Sequence, residues 1–408
     1  MIKTLTLEQE TAIKKFAHLK VGALFMKQGT GKTRAALEIA KSTDATLVLI
    51  LVPHQLQKNI EEQIEMWGFD MPHIIETYEG ISMSDTRYLT LLDNLNDQKV
   101  MVIADESIFI KNGDAKRYKR ILNIRDRSEY RLILNGTPIT KNEWDIYYQM
   151  KFLSEKIINM DESEFLQTFF KKIEYKRRFQ SPREFYQLSE VNIDYLKKLI
   201  EPYVFEVDLN LCIEEKHTFE DIWSSDETSE KYNVLKEEFL QKIKDGELLL
   251  NTLVNMQYLM FTDEKRCKEI AASLKGQQIV YCCYLKEVEQ ISKHCDCYVI
   301  TGDTDNRSEV LKRFKGDDKP LIMTYGVGSF GHNLQFCNRI TFASITFDYA
   351  KVEQAMYRIK RLGQERIIHY RYIRSDLGIY NLMYDNLTKK SNLHDLIIRD
   401  LEKIKEVL

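Results

Sequence analysis

Four side chains offer the clearest chemistry in this sequence: Lys32, Thr33, Asp105 and Glu106. The first two close the run Met26-Lys27-Gln28-Gly29-Thr30-Gly31-Lys32-Thr33. A glycine loop ahead of Lys-Thr turns backbone N–H groups onto phosphate oxygens. It places the ammonium on the β- and γ-phosphates and the hydroxyl on Mg²⁺. The full pattern wants glycine where Met26 stands, but Gly29-x-Gly31-Lys32-Thr33 is intact. Asp105 and Glu106 end an apolar run, residues 99–104. A carboxylate pair there divides the work: Asp105 holds Mg²⁺, usually through water, and Glu106 orients and deprotonates the attacking water. Gln9 lies just upstream of the loop, and an amide with both a donor and an acceptor suits the two-sided edge of adenine.

These groups need a scaffold, and the hydrophobic pattern supplies one. Residues 21–25 read as a buried strand before the loop, and residues 34–41 as a helix after it. Residues 45–52 are a near-continuous apolar run closed by Pro53, the mark of a buried parallel strand. A helix then begins at His54 and runs to Trp67-Gly68. Ligand contacts in α/β sheets sit beyond strand C-terminal ends, which makes Pro53, His54 and Lys58 candidates, with a solvated helix start as the plain alternative. Residues 115–120 form a basic helix, and residues 131–134 a strand closed by Asn135-Gly136-Thr137-Pro138.

A second α/β pattern follows, with strands at 277–284, 298–300, 320–324 and 340–343 and a charged helix at 306–314. Such alternation predicts a parallel sheet with helices on both faces. Thr324 leads into a glycine-rich stretch that includes Gly331. Arg358 and Arg361 are three apart, so on a helix they share a face and can clamp a transferring γ-phosphate. Between the two patterns, residues 145–265 read as mostly helical. Lys176, Arg177 and Arg178 stand between Tyr175 and Phe179 there. That basic, aromatic stretch can bind phosphate backbones and stack on bases, or equally be an amphipathic helix with snorkelling cations.

Composition narrows the class. The 408 residues carry a formal charge of −3, so a nucleic-acid surface has to be a local patch. There is no signal-peptide pattern and no apolar run of membrane-spanning length. Seven scattered cysteines fit a reducing cytosol. His294-Cys295-Asp296-Cys297 lacks a second ligand pair and reads as the approach to a strand.

Gln9, the 29–33 loop, Pro53, Asp105-Glu106-Ser107, Ile110-Lys111-Asn112, the Asn135-Gly136-Thr137-Pro138 turn and the Arg-x-x-Arg-x-Gly-Gln ending at Gln364 resemble, in order, the motifs of superfamily 2 helicases. Ile-Lys-Asn and the Gly-Thr-Pro turn resemble the Swi/Snf-type branch. Ile108 stands where that family usually has His, Ser329 where glycine is common, and Tyr349-Ala350-Lys351 where Asn-Pro is usual. The resemblance implies an α/β fold of two RecA-like parallel-sheet lobes, at 1–150 and 266–408, with a helical insertion at 151–265 and a helical tail. It implies ATP and Mg²⁺, with nucleotide contacts at Gln9, Gly29, Thr30, Gly31, Lys32, Thr33, Asp105, Gly331 and Gln354. Catalysis would rest on Lys32, Glu106, Arg358 and Arg361. Nucleic acid would meet Pro53, His54, Lys111, Asn112, Thr137, Thr324 and Lys176 to Arg178. The expected activity is ATP-driven translocation on duplex DNA by a cytoplasmic monomer from a bacterial or phage source. Strand separation on DNA or RNA, and an ATP-gated protein clamp, stay open as alternatives.

Overall fold

The computed structural model describes residues 4–27, 29–136, 144–175, 183–189, 191–207, 213–244, 250–328, 334–361 and 364–389. The described residues up to 207 form one compact unit, and those from 213 onward form another.

The first unit is built on β1 (Val21–Met26), β2 (Leu47–Val52), β3 (His73–Thr77), β4 (Val100–Asp105) and β5 (Tyr130–Asn135). A hairpin follows, β6 (Phe170–Tyr175) against β7 (Arg183–Leu188), and then β8 (Val204–Val207). The main sheet runs β3-β2-β4-β5-β1-β8, with every pairing parallel. Its strands are apolar on both faces because helices cover both. Alternate residues serve opposite cores. Ala23, Phe25, Leu49, Leu51, Val102 and Ile133 join one cluster, while Leu24, Met26, Val48, Ile50, Met101 and Leu132 join the other.

The second unit adds β9 (Glu215–Asp221), β10 (Ile279–Cys282), β11 (Tyr298–Ile300), β12 (Leu321–Thr324), β13 (Arg339–Phe342) and β14 (Ile368–Arg374). Its sheet runs β11-β12-β10-β13-β14-β9, again parallel throughout. The two parallel-sheet α/β lobes expected from the sequence are thus present.

The middle of the chain departs from the helical expectation. It holds the helices Glu162–Phe169, Ile193–Ile200, Asp226–Lys244 and Leu250–Phe261, but also β6 to β9. β8 completes the first sheet beside β1, and β9 completes the second beside β14. Both are edge strands with polar or mixed sequences, so neither carries the apolar run that marks a central strand. Partners hold them in place. Lys15 Nζ donates to the carbonyls of Glu201 and Val204 at 3.0 and 2.7 Å. Arg371 Nε donates to Glu220 at 2.9 Å, and Arg374 Nε to Asp221 at 2.7 Å, across the β14–β9 pair. Of the expected helical tail, Gly378–Thr388 is a helix that packs Ile379, Tyr380, Leu382 and Met383 into the second core. Among the described residues no helix is long and apolar enough to cross a membrane.

One close approach fixes the helix that carries Gln9. Helix Leu7–Phe16 lays Phe16 directly over β1, and a Cβ at Gly22 would stand 2.5 Å from Phe16 Cδ1. Gly22→Ala is expected to destabilise the protein by ~1–3 kcal/mol, the usual range for overpacking. Urea denaturation measures this, and an unchanged midpoint would show that the contact does not constrain the fold.

Candidate functional site

The site grows from the C-terminal ends of β1 and β4. Beyond β1, Gly29 and Gly31 take φ values of +88° and +77°, the left-handed region that glycine enters without a Cβ penalty. Gly31 caps the helix Lys32–Lys41, whose first turn holds no acidic side chain. Its free N–H groups and positive dipole end are therefore open to an anion. Thr30 folds the loop back on itself: its hydroxyl donates to Lys27 O at 2.7 Å.

Gln9 secures this loop from outside. Its Nε2 donates to Thr30 O at 3.0 Å, and its Oε1 accepts from Thr6 N at 3.1 Å. Thr6 and Gln9 form a capping box, in which the Thr6 hydroxyl accepts from Gln9 N. The amide read as an adenine contact thus has one donor and one acceptor engaged within the protein, and it is 3 % exposed. The Thr6-x-x-Gln9 spacing was the available sign of that arrangement.

At the end of β4, Asp105 and Glu106 face the same lysine. Lys32 Nζ lies 3.3 Å from Glu106 Oε1 and 4.0 Å from Asp105 Oδ1. Asp105 Oδ1 also accepts from Glu106 N at 2.9 Å. Glu106 has φ +51° and ψ +55°, a left-handed conformation that costs energy in a residue with a side chain. Burial of Asp105, with Glu106 beside it, pushes its carboxyl up to about 6 against the pull of Lys32. Tyr78, which the sequence reading did not single out, donates its hydroxyl to Asp105 O at 2.8 Å. Burial, reinforced by Asp105, drives that phenol well above its ordinary value.

A buried carboxylate 4.0 Å from the lysine that opens the Lys32–Lys41 helix is a donor that suits a hard divalent cation. Among the described residues no cluster of three or more His, Cys, Asp or Glu exists. A cation held here would thus take few protein ligands, as Mg²⁺ does beside phosphates.

Other sequence candidates are placed less centrally. His54 opens a short 3₁₀ turn, and its backbone N–H donates to Glu79 at 2.9 Å. Lys111 pairs with Asp145 at 3.2 Å, and Asn112 accepts from Asp114 N at 3.1 Å. Thr324 ends β12 and is half-buried. Thr137, Gly331 and Lys176, Arg177 and Arg178 lie outside the described residues.

In the second unit the arginine pair departs from the helical expectation. Helix Tyr349–Met356, which carries Gln354, ends before Arg358 and Arg361. Past Met356 the backbone tightens into i→i−3 bonds, with Arg358 N donating to Ala355 O at 3.1 Å and Ile359 N to Met356 O at 3.3 Å. Arg358 O accepts from Leu334 N at 3.2 Å, and Ile359 O from Gln364 Nε2 at 3.4 Å. Gln364, buried among the carbonyls of Gln335 and Cys337, is the clasp of this turn. Arg358 is buried and Arg361 half-buried, with Arg361 Nε donating to Tyr357 O at 2.8 Å.

The raised Asp105 carboxyl has a consequence for stability. Its folded value lies above its ordinary 3.8, so the folded state holds the proton more tightly between pH 3.8 and about 6. Stability therefore falls as pH rises through that window and stays reduced above it. Asp105→Asn is expected to raise stability at pH 7.5 by up to ~3 kcal/mol, a gain that vanishes near pH 4. Thermal melts of both proteins across pH check this; equal Tm values at pH 7.5 would contradict it.

Comparison with known proteins identifies the family. A family model described as SNF2-related domain matches residues 10–270, and one described as helicase conserved C-terminal domain matches residues 262–363. The DNA annealing helicase and endonuclease ZRANB3 of Bos taurus is 22% identical over 421 residues, covering 90% of this chain and 38% of that protein. The chain thus spans 38% of the length of that relative. An uncharacterized ATP-dependent helicase of Bacillus subtilis, YqhH, is 32% identical over 91 residues, covering 22% of this chain and 16% of its own. Among solved structures, the SWI2/SNF2 ATPase core of Sulfolobus solfataricus in complex with dsDNA aligns with 18% identity and a TM-score of 0.43. That alignment covers 99% of this chain and 95% of that one. With the SNF2-related model spanning the phosphate loop, the carboxylate pair and all of the first sheet, the chain belongs to the SNF2-related family.

Proposed function

We propose that this protein is an ATPase that drives translocation along double-stranded DNA. The observation that carries the reading is the Lys32 ammonium held between Glu106 and Asp105 at the mouth of a loop shaped for phosphate. Loop N–H groups and Lys32 bind the triphosphate. As the phosphates draw Lys32 away, the Glu106 carboxylate is released to accept a proton from the attacking water. Thr33 and Asp105 would hold Mg²⁺, which would supply Lewis-acid stabilisation of the phosphoryl oxygens. By the motif resemblance, Arg358 and Arg361 would meet charge on the γ-phosphoryl group. Gln9 keeps the loop in register for all of these contacts. The DNA track follows from the motif resemblance and from relatives whose names refer to DNA.

Different steps should fail in different variants. Lys32→Ala is expected to weaken nucleotide binding and abolish turnover. Glu106→Gln should keep binding while kcat falls by ~10²-fold or more, the scale of a lost general base. Arg358→Lys and Arg361→Lys should each lower kcat by ~10-fold or more with little change in nucleotide affinity, since lysine keeps the charge but loses the fork. Fluorescent-nucleotide titration beside steady-state ATPase measures these, and equal loss of affinity in all four would refute the assigned roles.

The track is tested by ATPase assays with duplex DNA, single-stranded DNA, RNA and no polymer. Duplex should stimulate at least as well as single strands, without sequence preference, and stimulation should fall as salt rises. Stimulation by RNA alone, or by none, would overturn the duplex-DNA reading.

A further inference from the structure

Between helix Leu285–Ser292 and β11 the second unit carries two thiols with no part in the roles above, Cys295 and Cys297. Both are half-buried and free. They pack against the same apolar cluster, which includes Val288 and Ile291. The Cys297 thiol donates a hydrogen bond to the Cys295 sulfur. Cys295 Sγ in turn donates to Ile291 O, in the last turn of the helix, at 3.4 Å. Asp296, the residue between them, is exposed and pairs with Lys319 at 2.8 Å.

A thiol attacks a disulfide only as its thiolate. The hydrogen bond from Cys297 favours the Cys295 thiolate and holds Cys295 below the ordinary thiol value, against burial and the Asp296 carboxylate. The same bond makes Cys297 keep its own proton more tightly. Elsewhere burial pushes the thiols of Cys267, Cys282, Cys283 and Cys337 up. Geometry favours closure of the pair as well. Residues two apart in a chain lie at most ~7 Å apart, close to the span that a disulfide bridges. Residues 294–297 belong to neither the helix nor the strand, so they can adjust while β11 stays paired with β12.

We propose that Cys295 and Cys297 are a reversible oxidation site, a dithiol that low-molecular-weight disulfides convert to an internal disulfide. The Cys295 thiolate attacks one sulfur of the incoming disulfide and forms a mixed disulfide with it. The other sulfur leaves as a thiolate and takes up the proton that Cys295 released. Cys297 then gives up its proton, attacks Cys295 Sγ and expels the second small thiol. Two protein thiols thus lose two protons and two electrons, and one small disulfide becomes two thiols. The site goes beyond the ATPase reading and does not depend on it.

The experiment equilibrates the full chain with glutathione disulfide, quenches it in acid, alkylates free thiols and digests with trypsin. Cleavage after Lys293 and Arg307 yields peptide 294–307, whose only cysteines are this pair. By mass spectrometry that peptide should be lighter by two hydrogens and unalkylated, and dithiothreitol should restore both thiols. In the same sample peptide 276–286, which carries Cys282 and Cys283, should stay reduced. Cys297→Ser leaves a hydroxyl donor beside Cys295 and should stop at the glutathione mixed disulfide. Cys295→Ser should form its adduct at Cys297 on the order of tenfold more slowly. The wild-type peptide needs no substitution, so it decides the matter even where a variant unfolds. A wild-type pair that alkylates fully, a glutathione adduct that never closes, or oxidation of Cys282 and Cys283 ahead of this pair overturns the site. Equal reactivity of the two folded serine variants overturns Cys295 as the attacking thiol.

Discussion

The Lys32 ammonium is a cation with two anions and one position. It reaches Glu106 at 3.3 Å and Asp105 at 4.0 Å, and much of the surrounding structure holds these three side chains within that range. The parallel pairing of β1 with β5 and of β5 with β4 brings the two strand ends to the same side of the sheet. Gly31 in the left-handed region starts the Lys32–Lys41 helix at the loop. Tyr78 and Gln9 brace the backbone on either side through Asp105 O and Thr30 O. Burial raises the Asp105 carboxyl, with the half-buried Glu106 adding to it, and the one lysine shared between them does not offset the rise. The burial that raises this carboxyl is thus also the source of the stability cost at neutral pH.

Much of this was legible in the sequence because it is written in local signals. A glycine loop between an apolar run and a helix-forming stretch, and an acidic pair closing another apolar run, need no tertiary information. Central strands announce themselves for the same reason: β1, β2 and β4 are buried on both faces and continuously apolar. β8 and β9 escaped because edge strands take their stability from one neighbour and from long-range partners such as Lys15 and Arg371. Sequence spacing also placed Arg358 and Arg361 on a helix. Past Met356 the backbone instead tightens into i→i−3 bonds, and Leu334 and Gln364 bond the carbonyls of Arg358 and Ile359, long-range contacts that no periodicity reports.

Gln9 illustrates a subtler limit. Residue type marked it as a candidate adenine contact, since an amide offers both a donor and an acceptor to a two-sided edge. The fold gives that amide a different immediate task, bonding the loop carbonyls and the helix start. Chemistry read from composition identifies which groups are capable, while packing decides which partners they meet.

The edge position of β8 bears on how the chain is made. β1 carries the phosphate loop and lies between β5 and β8, yet β8 follows it by most of the first unit's length. On a ribosome β1 would emerge early, pair with β5, and then present an unpaired apolar edge for roughly 4 to 14 seconds at ~5–20 residues per second. An open edge of that kind templates pairing with other chains. The nucleotide loop is thus attached to a strand whose second neighbour arrives late, and fragments ending before Val204 would carry that sticky edge permanently.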